Sequence, residues 1–147
     1  KAQTIKQQLT ALIDEDTDAF NAVLEANRLA DSSDEEMTAK ETAILAANKR
    51  AITVPLEVAR LSHQVLELAA GLVNRGNPNS VSDVGVAGEV AYAGVRGGSL
   101  NVYINLPAVD SDPEFFTEVK KEVEILLQQA TSLRDKIFTE SLNIINT

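Results

Sequence analysis

Residues 84–97 have the sequence VGVAGEVAYAGVRG, in which four positions are glycine. A glycine inside an isolated helix costs about 1 kcal/mol relative to alanine, so this segment is a poor helix by itself. It becomes a stable helix only where other helices pack against it, because small side chains let two backbones approach closely. Ala87, Ala91 and Gly94 provide one such face. The segment therefore predicts the centre of a closely packed helical protein.

The composition of the whole chain agrees with that prediction. The chain has 147 residues, 4% aromatic residues and no tryptophan, and alanine and aliphatic residues supply most of its apolar content. This length is typical of one domain with a sizeable core. The chain has no cysteine, which excludes disulfides and thiolate metal sites. We expect a single all-α domain over residues 1–147.

Upstream of the glycine-rich segment, apolar residues at helical spacing predict three helices. The first covers residues 2–28. The second covers residues 34–52, with Ser33 and Glu36 as a capping box. Pro55 lacks the amide hydrogen that a helix interior requires, so we expect it to break or kink the helix. The third helix follows Pro55 and ends at about residue 74, which gives a Pro-kinked pair.

Downstream, Ser82 predicts the N-cap of the glycine-rich helix, with Asp83 in its first turn. Residues 100–109 alternate between apolar and polar, which taken alone is a strand pattern. A single strand without a partner is not stable, so pattern and context conflict. Asp112 and Pro113 begin a last helix, which we expect to be the longest. The sequence thus predicts a bundle of about five helices with a long C-terminal helix.

The charge of the chain bears on its partners. The formal net charge is −9, and acidic residues are spread along the sequence. Such a chain repels phosphate backbones and anionic membrane surfaces, which argues against nucleic acid and membrane partners. No apolar run approaches the roughly 20 residues that span a bilayer. We expect a cytoplasmic protein.

Residues 76–83, GNPNSVSD, carry the most informative polar cluster. Asn77 and Asn79 are carboxamides, which donate and accept hydrogen bonds at once and suit a heterocycle such as a pterin. Ser82 and Asp83 add a hydroxyl and a carboxylate at a helix start. The alternative is that all four residues serve turn formation and capping. Composition alone leaves both interpretations open.

Two further asparagines, Asn101 and Asn105, are four residues apart and share a face in a helix or a strand. Either they face a ligand or they satisfy buried backbone groups.

The acidic residues 14–18 diverge around a helix, which favours a solvated face over a metal site. The single histidine, His63, cannot form a multi-histidine metal site, and we expect it to be a polar residue on a helix face. No metal site is predicted.

Four segments, in order, resemble the formiminotransferase-cyclodeaminase C-terminal family. Residues 12–23, LIDEDTDAFNAV, resemble its helix with the pattern ED-x-x-AF-x-x-V, and residues 54–59, VPLEVA, resemble its proline-kinked VPL-x-x-A helix. Residues 76–84, GNPNSVSDV, resemble its GN-x-x-x-x-SD turn. Residues 101–106, NVYINL, resemble its NV-x-x-N-L segment. Together these segments cover most of the chain.

The resemblance implies an all-helical, dimeric fold, with residues 100–106 helical. It implies a methenyltetrahydrofolate cyclohydrolase or a formiminotetrahydrofolate cyclodeaminase, acting on the carbon that bridges N5 and N10 of a tetrahydrofolate derivative without a metal. Family members usually begin with two more helices, opened by a Pro-Gly-Gly-Gly-Ser-type turn. This sequence lacks that turn, so we expect the bundle to lack those two helices.

Within the resemblance, Asp83 is the candidate catalytic acid or base, since it is the carboxylate of the polar turn. The substrate-binding candidates are its neighbours and the downstream pair: Asn77, Asn79, Ser82, Asn101 and Asn105. We expect all of them to converge in one cleft between packed helices.

The folate tail also needs cations, for which Arg28, Lys49, Arg50 and Arg75 are candidates. A homodimer is expected through the glycine-rich helix and the last helix. The alternative function is a non-catalytic dimeric helical interaction protein of the same fold.

Overall fold

The computed structural model describes residues 1–146, and nearly all of them are helical. The four long helices are α1 (Ala2–Asn27), α2 (Asp34–Leu72), α3 (Val81–Asn105) and α4 (Pro113–Ile145). Short 3-10 turns at Pro78–Ser80 and Leu106–Val109 lead into and out of α3. The all-α prediction is confirmed, with four long helices in the described chain instead of about five.

Pro55 accounts for the difference in helix number. Helix α2 continues through it for 39 residues, so Pro55 does not break the helix in two, and α2 rather than the 33-residue α4 is the longest helix. Pro55 cannot donate to the carbonyl of Ala51, one turn earlier. The Asn105 side chain donates to that carbonyl instead, at 3.0 Å. A residue from α3 thus supplies the hydrogen bond that the proline removes.

Two of the three predicted N-caps are confirmed by the structure. The Ser33 hydroxyl accepts from the Glu36 amide at 3.2 Å. The Asp112 carboxylate accepts from the Phe115 amide at 3.1 Å, with proline at the first position of α4. The prediction that Ser82 caps α3 is wrong. The chain passes from the 3-10 turn directly into α3, whose N-cap position is Ser80, so Ser82 already lies in the first turn.

The segment with a strand pattern is helical through Asn105, as the family resemblance implied. Val102, Leu106 and Val109 are its buried apolar residues, and their spacing of four and three is that of one helical face. Ile104, which completes the apparent alternation, is exposed. The alternation therefore did not mark two sides of a strand.

Two apolar clusters hold the helices together. The main core lies between α2, α3 and α4 and contains Ile52, Leu56, Leu66, Val95, Val102, Val123 and Ile137 among others. The second cluster joins α1 to α2 and includes Ile5, Leu12, Ala19, Val54 and Leu61. Ile5, Leu12 and Ala19 recur every seven residues, which gives α1 a narrow buried seam. Helix α1 therefore rests on α2 and leaves its remaining surface open.

The glycines of α3 permit the close packing that the sequence predicted. A Cβ at Gly98 would lie 2.6 Å from the Pro55 carbonyl oxygen, and one at Gly94 would lie 2.5 Å from the Ser62 hydroxyl. Of the predicted small face, Ala91 is buried whereas Ala87 is exposed. Among residues 1–146, no helix has both the length and the apolar content needed to cross a membrane.

Candidate functional site

A groove of about 520 Å³ opens between α1, the Pro55 turn of α2 and the C-terminal half of α3. Its walls are mostly aliphatic side chains and glycine backbone, with three polar side chains. The lining residues are Leu9, Leu12, Ile13, Asp16 and Thr17 of α1, Pro55 and Val58 of α2, and Gly94, Gly97, Gly98 and Asn101 of α3. The groove therefore combines an apolar surface with a carboxylate, a hydroxyl and a carboxamide.

Asp16 reaches the groove because of its place on α1. Leu9, Ile13 and Phe20 lie on one helical face at intervals of four and seven residues, and Asp16 falls within that face. Ile13 and Phe20 are largely exposed, so this is an apolar stripe that the chain itself does not cover. A carboxylate inside such a stripe is surrounded by surface that binds water weakly.

The opposite wall is backbone. A Cβ at Gly97 would have no neighbour within 4 Å, so the surface of α3 is bare at this point. One turn further on, the Asn101 side chain donates to the Gly97 carbonyl at 3.3 Å. That hydrogen bond holds the carboxamide beside the bare surface.

The predicted site residues fall into two separate groups. Asn101 lines the groove, whereas Asn105, four residues further along α3, does not line it and donates to the Ala51 carbonyl. Asn105 was expected either to face a ligand or to satisfy a backbone group, and in the structure its side chain is hydrogen-bonded to a backbone carbonyl. Asp83 and Ser82 are exposed at the other end of α3. Asp83 and Asn101 are eighteen residues apart, which is about 27 Å along a helix axis.

The polar turn before α3 makes its hydrogen bonds locally. The Asn77 side chain accepts from the Asn79 amide at 3.0 Å and caps the 3-10 turn. Asn77 and Asn79 are both exposed. The expectation that the turn and Asn101 share one cleft is wrong within a single chain, because α3 is continuous and its length separates them. The roles proposed for the turn residues stay predictions.

Sequence reasoning missed Asp16 and Thr17, which it assigned to a solvated face with the rest of residues 14–18. All five residues are exposed, but only these two line the groove. The usable signal was position: Asp16 follows Ile13 by three residues and Leu9 by seven. An acidic residue at those intervals lies within the apolar face of the helix.

Among residues 1–146, no lysine or arginine lines this groove. Lys49 forms an ion pair with Asp112, lowers the pKa of that carboxyl through the hydrogen bond, and lies 5.0 Å from the centre of the Phe115 ring. Arg60 donates to both oxygens of Glu122, at 2.6 and 2.7 Å, and lowers its pKa. Lys49 was a candidate for the folate tail, but here it joins α2 to the start of α4.

His63 lies in a different groove, between α2 and α4, with its Nδ1 4.0 Å from a Glu67 oxygen. Its Nε2 is buried without a hydrogen-bond partner in the described structure. Over residues 1–146, no three His, Asp or Glu side chains are grouped so that they could hold a metal ion.

Comparison with known proteins places the chain in a family. A family model described as formiminotransferase-cyclodeaminase matches residues 1–125. A methenyltetrahydrofolate cyclohydrolase from Methylorubrum extorquens is 39% identical over 99% of this chain and 70% of its own length. A mouse formimidoyltransferase-cyclodeaminase is 35% identical over 84% of this chain, which spans only 23% of that longer protein.

A solved structure agrees with both sequence comparisons. The crystal structure of formiminotetrahydrofolate cyclodeaminase from Thermotoga maritima superposes with a TM-score of 0.82 at 25% identity. The match covers 97% of this chain and 67% of the other. The four-helix arrangement around the groove is therefore shared with a solved relative. The chain belongs to the formiminotransferase-cyclodeaminase family.

Proposed function

We propose that this protein is a folate one-carbon enzyme that hydrolyses methenyltetrahydrofolate, with the groove between α1 and α3 as its active site. The relative from Methylorubrum extorquens bears the name of that reaction and aligns along nearly the whole chain. The cyclodeaminase reaction, named in the mouse and Thermotoga maritima relatives, is the alternative within the same family.

The observation that carries this assignment is the pairing of Asp16 and Asn101 on opposite walls of one apolar groove. The methenyl carbon of the substrate lies between two nitrogens that share a positive charge. A carboxylate attracts such a cation, and Asp16 is the charged residue in the lining of the groove. The groove therefore has the polarity that the reacting end of the substrate requires.

The reaction needs one proton acceptor and one orienting group. A water oxygen bonds to the methenyl carbon while the Asp16 carboxylate takes a proton from that water, which gives a neutral tetrahedral centre. One carbon–nitrogen bond then breaks, and its electron pair stays on the nitrogen. The hydroxyl proton moves to that nitrogen as the formyl group forms, and the first proton is released to solvent. Asn101 orients the water or the ring.

Asp83 stays the alternative acid or base, with Asn77, Asn79 and Ser82 as its binding partners. The groove is favoured because its polar groups come from two helices and line one space, whereas the side-chain hydrogen bond of the turn joins Asn77 to the neighbouring Asn79. A non-catalytic interaction protein of the same fold is the remaining alternative, and the turnover measurement below separates it from an enzyme.

The protein is further proposed to act as a homodimer. Four aliphatic residues on one face of α3 are 63–77% exposed: Val86, Val90, Leu100 and Ile104. An exposed apolar face of this length is typical of an interface. A two-fold pairing would bury the same face of both copies. Light scattering at micromolar concentration should give twice the mass of the chain, and the monomer mass would contradict the dimer. A cytoplasmic location stays a prediction.

The test of the enzyme proposal is the loss of the methenyl absorbance band during incubation with the full-length protein. We expect turnover by the wild type and a decrease in kcat of about 100-fold or more for Asp16→Asn, which removes the proton acceptor. Asp14→Asn is the matched control, since Asp14 is exposed on the same helix and does not line the groove.

Two results would count against the proposal in different ways. A wild-type protein without turnover contradicts the enzyme assignment. If the Asp16→Asn and Asp14→Asn variants convert the substrate at the same rate, the enzyme assignment stands. The groove is then not the active site.

A further inference from the structure

The exposed side of α3 has a regular spacing along the helix. Its residues follow one another at alternating intervals of four and three positions, and none of them is buried within the chain. These intervals are those of a seam along which two helices pack side by side. The α3 seam consists of Val86, Val90, Ala93, Gly97, Leu100 and Ile104.

The α3 seam is symmetric about its own midpoint, residue 95. Its outer pair, Val86 and Ile104, lies nine positions from that point on either side. Its middle pair, Val90 and Leu100, lies five positions from it, and the two small residues lie two positions from it. If two copies of α3 run in opposite directions with their midpoints together, every seam residue meets another seam residue. A two-fold pairing requires such self-complementarity, so the seam fits a second copy of this chain.

The groove lies along one flank of the seam. Gly94 and Asn101 line the groove, and each follows a seam residue by one position. Ala87 follows Val86 in the same way, so it lies on the same flank of α3, where it is exposed. The two-fold axis of an antiparallel pair places the same flank of both helices on one side. The partner's Ala87 therefore lies on the side where the groove of this chain opens.

Distances along the helix axis locate this contact more closely. In the antiparallel register, Asn101 is level with residue 89 of the partner subunit, which is two residues or about 3 Å from the partner's Ala87. Within one chain, Ala87 and Asn101 are fourteen residues apart, which is about 21 Å along α3. An alanine at position 87 therefore comes close to a groove only when it belongs to the other copy.

We propose that α3 of a second copy forms the outer wall of the groove, so that each active site is built from two chains. This inference rests on the proposed function. Ile13 lines the groove from α1 and is 67% exposed, so a helix at this place covers an apolar side chain that its own chain leaves open. Covering the groove also removes water from around Asp16, which strengthens the attraction of the carboxylate for a positively charged substrate.

The first experiment separates the two copies without changing the groove. Val90→Asp puts a charge into the seam, and Val90 does not line the groove. We expect the monomer mass by light scattering and a kcat/KM for methenyltetrahydrofolate that is lower by about tenfold or more, because the open site positions its substrate poorly. Leu72→Asp is the matched control, since Leu72 is 52% exposed at the end of α2, outside the seam and the groove. This control should keep the dimer mass and the turnover of the wild type.

The second experiment tests whether the wall comes from the partner. Ala87→Trp places a large side chain beside Asn101 of the other copy, so we expect the dimer mass and a kcat/KM that is lower by about tenfold or more. A mixed dimer of one Ala87→Trp chain and one Asp16→Asn chain can be purified through two different affinity tags. In this dimer the Ala87→Trp chain keeps its own Asp16, and the wall opposite it carries the native Ala87. We expect the mixed dimer to regain about half of the wild-type turnover, because one of its two sites is intact.

Four results would overturn the inference. A dimeric Val90→Asp variant would show that the seam is not the interface, and a monomeric variant with full turnover would show that one chain is sufficient. Unchanged turnover in Ala87→Trp, or loss of its dimer mass, would show that position 87 does not border the groove. A mixed dimer without recovery would assign both defects to the same chain.

The wild type separates these failures from a failure of the proposed function. A dimeric wild type without turnover contradicts the assignment as an enzyme. Normal wild-type turnover combined with any of the four results contradicts only the site shared between two chains.

Discussion

The two ends of helix α3 carry similar polar residues in different surroundings. At the start of α3, Asn77 and Asn79 are hydrogen-bonded to each other in an exposed turn, and Asp83 points from the first helical turn into solvent. At the end of α3, Asn101 and the bare backbone of Gly97 face a groove whose other wall holds Asp16. Polar residues that are close in sequence serve the turn, and those brought together from two helices form the candidate site.

The difference shows which kind of polar cluster is informative. A run of Gly, Pro, Asn and Ser is what a turn requires, so its presence says little about a ligand. A single carboxylate within an apolar helical face has no such local explanation. Asp16 is the more informative residue for that reason, although its neighbours in sequence are also acidic.

After the loss expected for Asp16→Asn, the largest expected effect comes from exchanging a polar group at each end of α3. Asn101→Ala should lower kcat/KM for methenyltetrahydrofolate about tenfold or more, because the ring and water lose an orienting group. Asp83→Asn should stay within twofold of the wild type. Steady-state kinetics on both variants checks the comparison. The opposite ranking would move the active site to the turn and restore Asp83 as its acid or base.

The fit of α3 against its neighbours should also differ between its ends. Gly98→Ala places a methyl group 2.6 Å from a carbonyl oxygen of α2, and backbone cannot move aside cheaply. We expect the free energy of unfolding to fall by about 1–3 kcal/mol. Gly85→Ala meets the Ser141 hydroxyl at 3.2 Å, which can rotate, so its loss should be smaller. Urea denaturation measures both, and equal losses would contradict the tight crossing at Pro55.

The next effect in size is the loss of folding stability that we expect when Asn105 is replaced. Asn105→Ala leaves the partly buried Ala51 carbonyl without this donor, and the cost of an unpaired acceptor, about 1–3 kcal/mol when it is fully buried, sets the upper bound of the loss. In a Pro55→Ala background the amide of residue 55 can donate to that carbonyl, so the same substitution should cost less. A double-mutant cycle by urea denaturation isolates this coupling. Additive losses would show that Asn105 does not compensate for Pro55.

The fold was largely predictable from the sequence because its signals are local. The helix periodicities and the Ser33 and Asp112 caps depend on neighbours within a few residues. The continuation of α2 through Pro55 was not predictable in this way. The carbonyl group that Pro55 leaves without a backbone donor accepts a hydrogen bond from Asn105, which is 54 positions away in the chain.

The candidate site was less predictable than the fold, for the same reason. Asn101 could be named from its residue type and spacing, but the groove exists only where α1 rests on α2 beside α3. Nothing near Asp16 in sequence indicates that it faces Asn101. The length of α3, which separates Asp83 from Asn101, could have been inferred once residues 100–106 were assigned to a helix.

The smallest expected effect concerns acid stability and the ion pairs that hold α4. Arg60 lowers the pKa of Glu122, and Lys49 lowers the pKa of Asp112. A carboxyl with a lower pKa in the folded state stabilises the protein at any pH above its unfolded-state pKa of about 4. That contribution is lost as the pH falls through the folded-state value. We expect the free energy of unfolding to decline below about pH 5, and to decline less steeply for Glu122→Gln.

Both pairs are partly exposed, so the difference between the wild type and Glu122→Gln should shrink with added salt. Urea denaturation across this pH range measures the slopes. Identical slopes for the wild type and Glu122→Gln would show that the Arg60 pair does not stabilise the packing of α2 against α4.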